Sequence, residues 1–82
     1  MDMSEAVAMR LKELCAARNM SLYELAYRSG VPESTLRHMA DGEKANPKLR
    51  NIKRACDGFE ISLADFFNTD DFKNLDPEYD IL

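Results

Sequence analysis

The sequence has few of the residues that metal sites and catalytic centres require. Its 82 residues include two cysteines, Cys15 and Cys56, and a single histidine, His38. The cysteines form no CxxC pair, and with one histidine they cannot complete a four-ligand zinc site. We interpret them as small buried thiols in a reducing compartment. No catalytic constellation appears around the single histidine, and we expect no metal, no cofactor and no enzymatic activity.

Long apolar runs are also absent. No run approaches the ~20 residues needed to span a bilayer, which predicts that the protein has no contact with a membrane. Residues 1–5 are acidic and contain no apolar segment, unlike a signal peptide. The sequence has no internal repeats, and its length fits one domain. We therefore expect a cytoplasmic, single-domain protein.

Acidic residues outnumber basic ones over the whole chain, but not over residues 1–58. Eleven Lys and Arg residues face fifteen Asp and Glu residues, for a net charge of −4, which at first argues against a nucleic-acid partner. Residues 1–58 carry ten Lys and Arg against eight Asp and Glu, whereas residues 59–82 carry one against seven. The acidic C-terminal part therefore hides a weakly basic first part.

The centre of the sequence, residues 22–39, predicts two short helices joined by a tight turn. Ser21 and Glu24 have the spacing of a capping box at the start of the first helix. Gly30 lies where the chain must reverse, and Pro32 suits the first position of the second helix. The apolar residues that would face each other across the pair are Leu25, Ala26, Val31, Leu36 and Met39.

Three further helices are predicted around this pair. The first begins at a cap on Asp2 and ends near Asn19, which tolerates a left-handed conformation. The fourth begins with Asn46 as the cap and Pro47 at the first helical position, and the fifth begins at Ser62.

Two glycines are expected at helix ends. Gly42 would stop the third helix, and Gly58 would loosen the last turn of the fourth. The helical spacing predicts a single core made of Leu11, Leu14, Leu25, Ala26, Val31, Leu36, Met39, Leu49, Ile52, Phe59, Leu63 and Phe66.

This pattern resembles the helix-turn-helix of the phage repressor/Cro-type (XRE-like) DNA-binding family. The residues at the family's spacing are Leu25, Ala26, Gly30, Val31, Leu36 and Met39. The resemblance runs on to Phe67. It implies an all-α, compact five-helix phage-repressor-like DNA-binding domain over residues 1–67, followed by an acidic, partly apolar tail over residues 68–82. It also implies sequence-specific binding of double-stranded DNA by a transcriptional regulator, a repressor and a homodimer, with the helix at about residues 32–40 in the major groove.

The resemblance also indicates which side chains would meet DNA. Those at the start of the groove-binding helix that could reach base edges are Glu33, Ser34, Arg37 and His38. Arg37 could fork onto guanine, Glu33 could accept from cytosine, and Ser34 could contact either base. For phosphates the candidates are Lys44, Asn46 and Lys48, beside a helix start that favours an anion, with Arg10 and Arg28 as weaker ones. Leu22 stands where the family often has a phosphate-binding glutamine.

The tail leaves a second function open. Residues 68–82 hold five acidic residues and one lysine, yet they also contain Phe72, Leu75, Tyr79, Ile81 and Leu82. A tail that only keeps the chain soluble would be poor in apolar groups. We therefore expect the tail and the fifth helix to form a homodimer contact. The alternative is a protein-interaction adaptor or antitoxin-like module whose acidic tail holds a protein partner.

Overall fold

The computed structural model describes residues 1–42 and 46–78, which form helices and no strands. The helices are α1 (Met3–Ala17), α2 (Leu22–Ser29), α3 (Glu33–Asp41), α4 (Leu49–Phe59), α5 (Leu63–Phe67) and α6 (Asp70–Lys73). The all-α prediction is confirmed. The described part of the chain has six helices where five were expected, because a single turn, α6, forms in the segment predicted to be a tail.

The predicted caps form at the first two helices. Asp2 Oδ1 accepts the Glu5 N–H at 2.9 Å, and the Glu5 carboxylate accepts the Asp2 N–H at 3.3 Å. This is a complete capping box, which satisfies two free donors of the first turn. At α2 only half of the box forms. Ser21 Oγ accepts the Glu24 N–H at 3.0 Å, but the Glu24 carboxylate accepts from Arg28 at 3.2 Å instead.

The chain reverses at the positions that the sequence indicated. Gly30 (φ +76°) ends α2 and Gly42 (φ +73°) ends α3, both in the left-handed conformation that glycine adopts without a steric cost. Asn19 follows α1 with φ +50°, also as predicted. Together these residues place α2 and α3 against each other and α3 against α1.

Two helix starts differ from the prediction. Pro32 precedes α3 instead of occupying its first position, because its ψ of 141° is extended. Its carbonyl accepts the Leu36 N–H at 3.1 Å, and this bond opens the helix. The expected start at Asn46 and Pro47 is also wrong, since the cap of α4 is Lys48. Neither α3 nor α4 has a side chain that caps its first turn.

Most of the predicted core is buried. The predicted residues that are buried are Leu11, Leu14, Leu25, Val31, Leu36, Met39, Ile52, Phe59 and Phe66. Ala26 and Leu63 are half-buried against them. The prediction for Leu49 is wrong, since its side chain is 62% exposed. Leu49 is the first residue of α4, and its side chain lines a groove between α1 and α4.

Gly58 has a packing role that the sequence did not reveal. It is buried within α4, which continues to Phe59, so the predicted loosening of the helix end is wrong. A Cβ at Gly58 would lie 3.0 Å from both Leu25 Cδ1 and Ser29 Cβ. The missing side chain therefore allows α2 and α4 to pack closely.

Part of the predicted tail packs on the chain's own body. The Phe72 ring lies 5.9 Å from the Phe66 ring and 4.9 Å from the Phe67 ring, measured between centroids. Asp76 donates its N–H to the Met1 carbonyl at 3.1 Å, and its carboxylate lies 2.9 Å from the Met1 amino group. Leu75 is half-buried, and the other apolar tail residues, Tyr79, Ile81 and Leu82, lie outside the described residues.

Candidate nucleic-acid interface

The outer face of α3 collects the four side chains predicted to reach base edges. A single shallow depression is lined by Glu33, Ser34, Arg37, His38 and Asp41. The opposite face of the helix carries Leu36 and Met39, which are 0% and 2% exposed. Because this inner face is locked into the core, the outer face is presented in a fixed orientation.

Arg37 and Glu33 form an ion pair on this face. Arg37 Nη2 lies 2.5 Å from Glu33 Oε2, one helical turn away. The two side chains are 63% and 36% exposed, so the pair is screened by water and contributes about 0–1 kcal/mol to stability. A guanine base could therefore replace Glu33 as the partner of the Arg37 guanidinium. Before DNA binds, the ion pair with Glu33 would restrict the position of that guanidinium.

Hydrogen bonds fix the turn that leads into α3, but no side chain caps the first turn of this helix. The Ser29 hydroxyl accepts the Val31 N–H at 3.1 Å, and the Ala26 carbonyl accepts the Gly30 N–H at 3.0 Å. These bonds fix the turn between α2 and α3. Since no side chain caps α3, the N–H groups of its first turn are available to an anion.

The structure places the two described phosphate candidates, Asn46 and Lys48, in different surroundings. Lys48 is exposed at the start of α4, where the first turn also lacks a side-chain cap. Asn46 lines a different groove, together with Met3 and Phe67. Lys44 lies outside the described residues. Arg50, which the sequence analysis did not select, is exposed in the first turn of α4 and adds a second cation near Lys48.

Arg10 serves the fold rather than the interface. Its Nε donates to the Phe66 carbonyl at 2.8 Å, and its Nη2 donates to the Asp65 carbonyl at 2.9 Å. It also pairs with Glu13, and its side chain is only 15% exposed. These contacts tie α1 to the end of α5 and argue against a phosphate contact by Arg10.

Two tyrosines on α2 form an exposed surface that was not predicted from the sequence. Tyr23 and Tyr27 are 72% and 87% exposed. They line a depression with Pro32 and Glu33 at the start of α3. Their spacing of four residues, on the side away from Leu25, could have indicated this surface from the sequence. Leu22, in contrast, is half-buried against the core.

The cysteines have the environment that the sequence suggested. Cys15 and Cys56 are buried and free. Burial is the main cause that raises the pKa of both thiols, which keeps them protonated and poorly reactive. In the part of the chain that the structure describes, no three His, Cys, Asp or Glu side chains could hold a metal ion together. No helix in that part has the length and apolar character to cross a membrane.

The helical pair, its left-handed turn and the exposed face of α3 agree with a known family of domains. A family model described as the Cro/C1-type HTH DNA-binding domain matches residues 10–71. The chain belongs to this family. The match confirms the resemblance seen in the sequence and extends beyond Phe67 into α6. This Cro/C1-type chain is thus a sequence-specific DNA-binding protein of the transcriptional-regulator type.

Solved structures support the same fold. The crystal structure of the prophage Lp1 protein 11 matches with a TM-score of 0.78 and 28% identity, over 92% of this chain and 100% of that chain. A point mutant of the restriction-modification controller protein C.Esp1396I matches with a TM-score of 0.72 and 20% identity, over 82% of this chain and 86% of that chain. No match was found among curated proteins.

Proposed function

We propose that this Cro/C1-type protein is a transcriptional repressor that places α3 in the major groove of double-stranded DNA. One observation carries the proposal. The outer face of α3 presents Glu33, Ser34, Arg37 and His38 on one surface, while the inner face is anchored in the core. A helix held in this way can bring side chains from its first turns to base edges. The protein would act by binding, without catalysis, in the cytoplasm.

Within this proposal, the side chains divide into base-reading and phosphate-binding groups. Arg37 would form the forked contact with guanine, and Glu33 would orient the guanidinium through their ion pair. Ser34 and His38 would contact neighbouring bases. Lys48, Asn46 and Lys44 would bind phosphates, together with the uncapped N-terminus of α4.

We also propose that the protein binds as a homodimer through α5 and the tail. An apolar groove between α1, α4 and the tail is lined by Met3, Pro47, Leu49 and Phe67, and the described chain ends on it at Glu78. The 62% exposure of Leu49 leaves apolar surface that a second copy could cover. Two α3 helices would then address half-sites about 34 Å apart.

A binding-site selection from random duplexes tests the repressor proposal directly. We expect one enriched sequence with two related half-sites, bound with an affinity that falls as salt rises. If no duplex is enriched and none is bound, the proposal fails. The adaptor alternative would then gain support if a basic protein co-purifies with the full chain and is lost when the tail is removed.

The adaptor alternative has one supporting observation of its own. The carboxylates of Asp70, Asp71, Asp76 and Glu78 are exposed, although Phe72 beside them packs on the body of the chain. A surface of this kind repels DNA phosphates and could attract a basic partner. Both functions can coexist, since this surface does not include α3.

A further inference from the structure

The strongest unexplained feature of the surface is the pair of tyrosines on α2. Tyr23 and Tyr27, with Pro32 beside them, form what we call the aromatic edge. Their rings are 72% and 87% exposed, and neither hydroxyl is bonded within residues 1–42 and 46–78. Two large exposed rings one helical turn apart form a contiguous apolar surface, and surfaces of this kind mark interaction sites.

The aromatic edge is continuous with the proposed DNA-binding face. Glu33 lines both the depression beside the tyrosines and the depression on the outer face of α3. In a helix-turn-helix, the helix before the groove-binding helix crosses the DNA backbone. If α3 enters the groove, the side of α2 nearest the start of α3 must therefore approach the sugar–phosphate chain at the groove's edge.

Charge explains why aromatic contacts would matter here. The outer face of α3 carries one guanidinium, on Arg37, and two carboxylates, on Glu33 and Asp41. Ionic attraction to phosphate is therefore weak on this face. A tyrosine hydroxyl can donate to a phosphate oxygen without adding a charge, and its ring can pack against the apolar side of a deoxyribose.

We propose that Tyr23 and Tyr27 bind the sugar–phosphate backbone of DNA beside the groove that receives α3. The hydroxyls donate to phosphate oxygens, and the rings and Pro32 cover the sugars. This inference rests on the proposed function and deepens it. The aromatic edge adds affinity for the DNA backbone without releasing counterions, whereas a contact between Lys48 and a phosphate would release them.

Tyrosine-to-phenylalanine variants test the inference with little risk to folding, because both side chains are exposed. Tyr23→Phe and Tyr27→Phe are compared with the wild type on the selected duplex. Each should bind about 10- to 150-fold more weakly, the usual effect of removing a hydrogen bond to a charged group. The dependence of log K on log salt should stay unchanged, because no cation is lost. Lys48→Ala should instead lower that slope by about one unit.

Met9→Ala, which truncates a side chain on α1 that is 49% exposed, is the control and should bind like the wild type. Tyrosine fluorescence provides a direct probe, because the chain has no tryptophan. In a protein that also carries Tyr79→Phe, only Tyr23 and Tyr27 emit. We expect their fluorescence to change on titration with the duplex.

The outcomes separate this inference from the proposed function. If the wild type binds the selected duplex but both phenylalanine variants bind equally well, the inference is overturned and the repressor proposal stands. Equal losses for Met9→Ala, or unchanged tyrosine fluorescence at saturating duplex, would also overturn it, and the aromatic edge would then be free to bind a protein. If the wild type binds no duplex, the proposed function itself fails.

Discussion

At the scale of single residues, Arg37 and Lys48 should have separable effects on DNA binding. Arg37→Ala should reduce discrimination between the selected and random duplexes by about 1–3 kcal/mol, the value of a forked base contact. Lys48→Ala should weaken binding to all duplexes alike. Competition binding with both duplexes measures the difference. Equal losses on both duplexes for both variants would contradict the division into base-reading and phosphate-binding residues.

The Glu33 carboxylate provides a control for this experiment. It holds the Arg37 guanidinium at 2.5 Å in the free protein. Glu33→Gln removes the charge and keeps the shape of the side chain. If Glu33 only orients Arg37, this variant should lose discrimination at the guanine that Arg37 reads and at no other position. If Glu33 itself accepts from cytosine, specificity should relax at a second position.

Leu36 shows how one residue connects the core with the interface. Its side chain is fully buried, beneath the helix that presents Arg37. Leu36→Ala should lower the free energy of unfolding by roughly 2–5 kcal/mol, the usual cost of truncating a buried leucine. Met9→Ala, which truncates a side chain that is 49% exposed, is the control and should change stability by about 0.5 kcal/mol or less. Denaturant unfolding of both variants checks this, and similar losses would argue against burial of Leu36.

At the scale of helices, the contact between α2 and α4 depends on Gly58. Alanine is favoured over glycine within a helix by up to about 1 kcal/mol. Its Cβ would, however, meet Leu25 Cδ1 and Ser29 Cβ at 3.0 Å and the Ser29 backbone at 3.3 Å. Overpacking of this kind costs about 1–3 kcal/mol, so Gly58→Ala should be destabilising overall. Thermal unfolding tests this, with Arg54→Ala on the exposed side of α4 as the control. A higher melting temperature for Gly58→Ala would show that α2 can move away without cost.

Gly58 and Leu49 also show what the sequence could and could not predict. Apolar spacing located the helices and most of the core, because burial requires one apolar face per helix. Spacing within one helix cannot show how closely a second helix approaches, so the role of Gly58 was missed. Pro47 pointed to the wrong start of α4, and helical spacing assigned Leu49 to the core although it lies in the first turn of the helix. The aromatic edge was also overlooked, although the spacing of Tyr23 and Tyr27 was visible.

At the scale of the whole molecule, the tail is partly built into the domain. Removing residues 70–82 would take Phe72 away from Phe66 and Phe67, so this deletion would damage the fold as well as any dimer contact. Removing only residues 79–82 leaves α6 and the contact between Asp76 and Met1 in place. The shorter deletion is therefore the better test of the proposed dimer.

We expect the protein lacking residues 79–82 to keep its helical circular dichroism but to change from dimer to monomer in light scattering. Binding to duplexes with two half-sites should then weaken by about 10²- to 10⁴-fold, because the two α3 helices are no longer linked. Binding to a single half-site should stay the same, since α3 is unaltered.

Leu49→Ser tests the groove independently, because it makes the exposed leucine polar without shortening the chain. If both variants remain dimers, the contact between copies lies elsewhere on the molecule. If the full-length chain is already a monomer at micromolar concentration, the groove is covered from within the chain or by another protein, and α3 must bind DNA as a single unit.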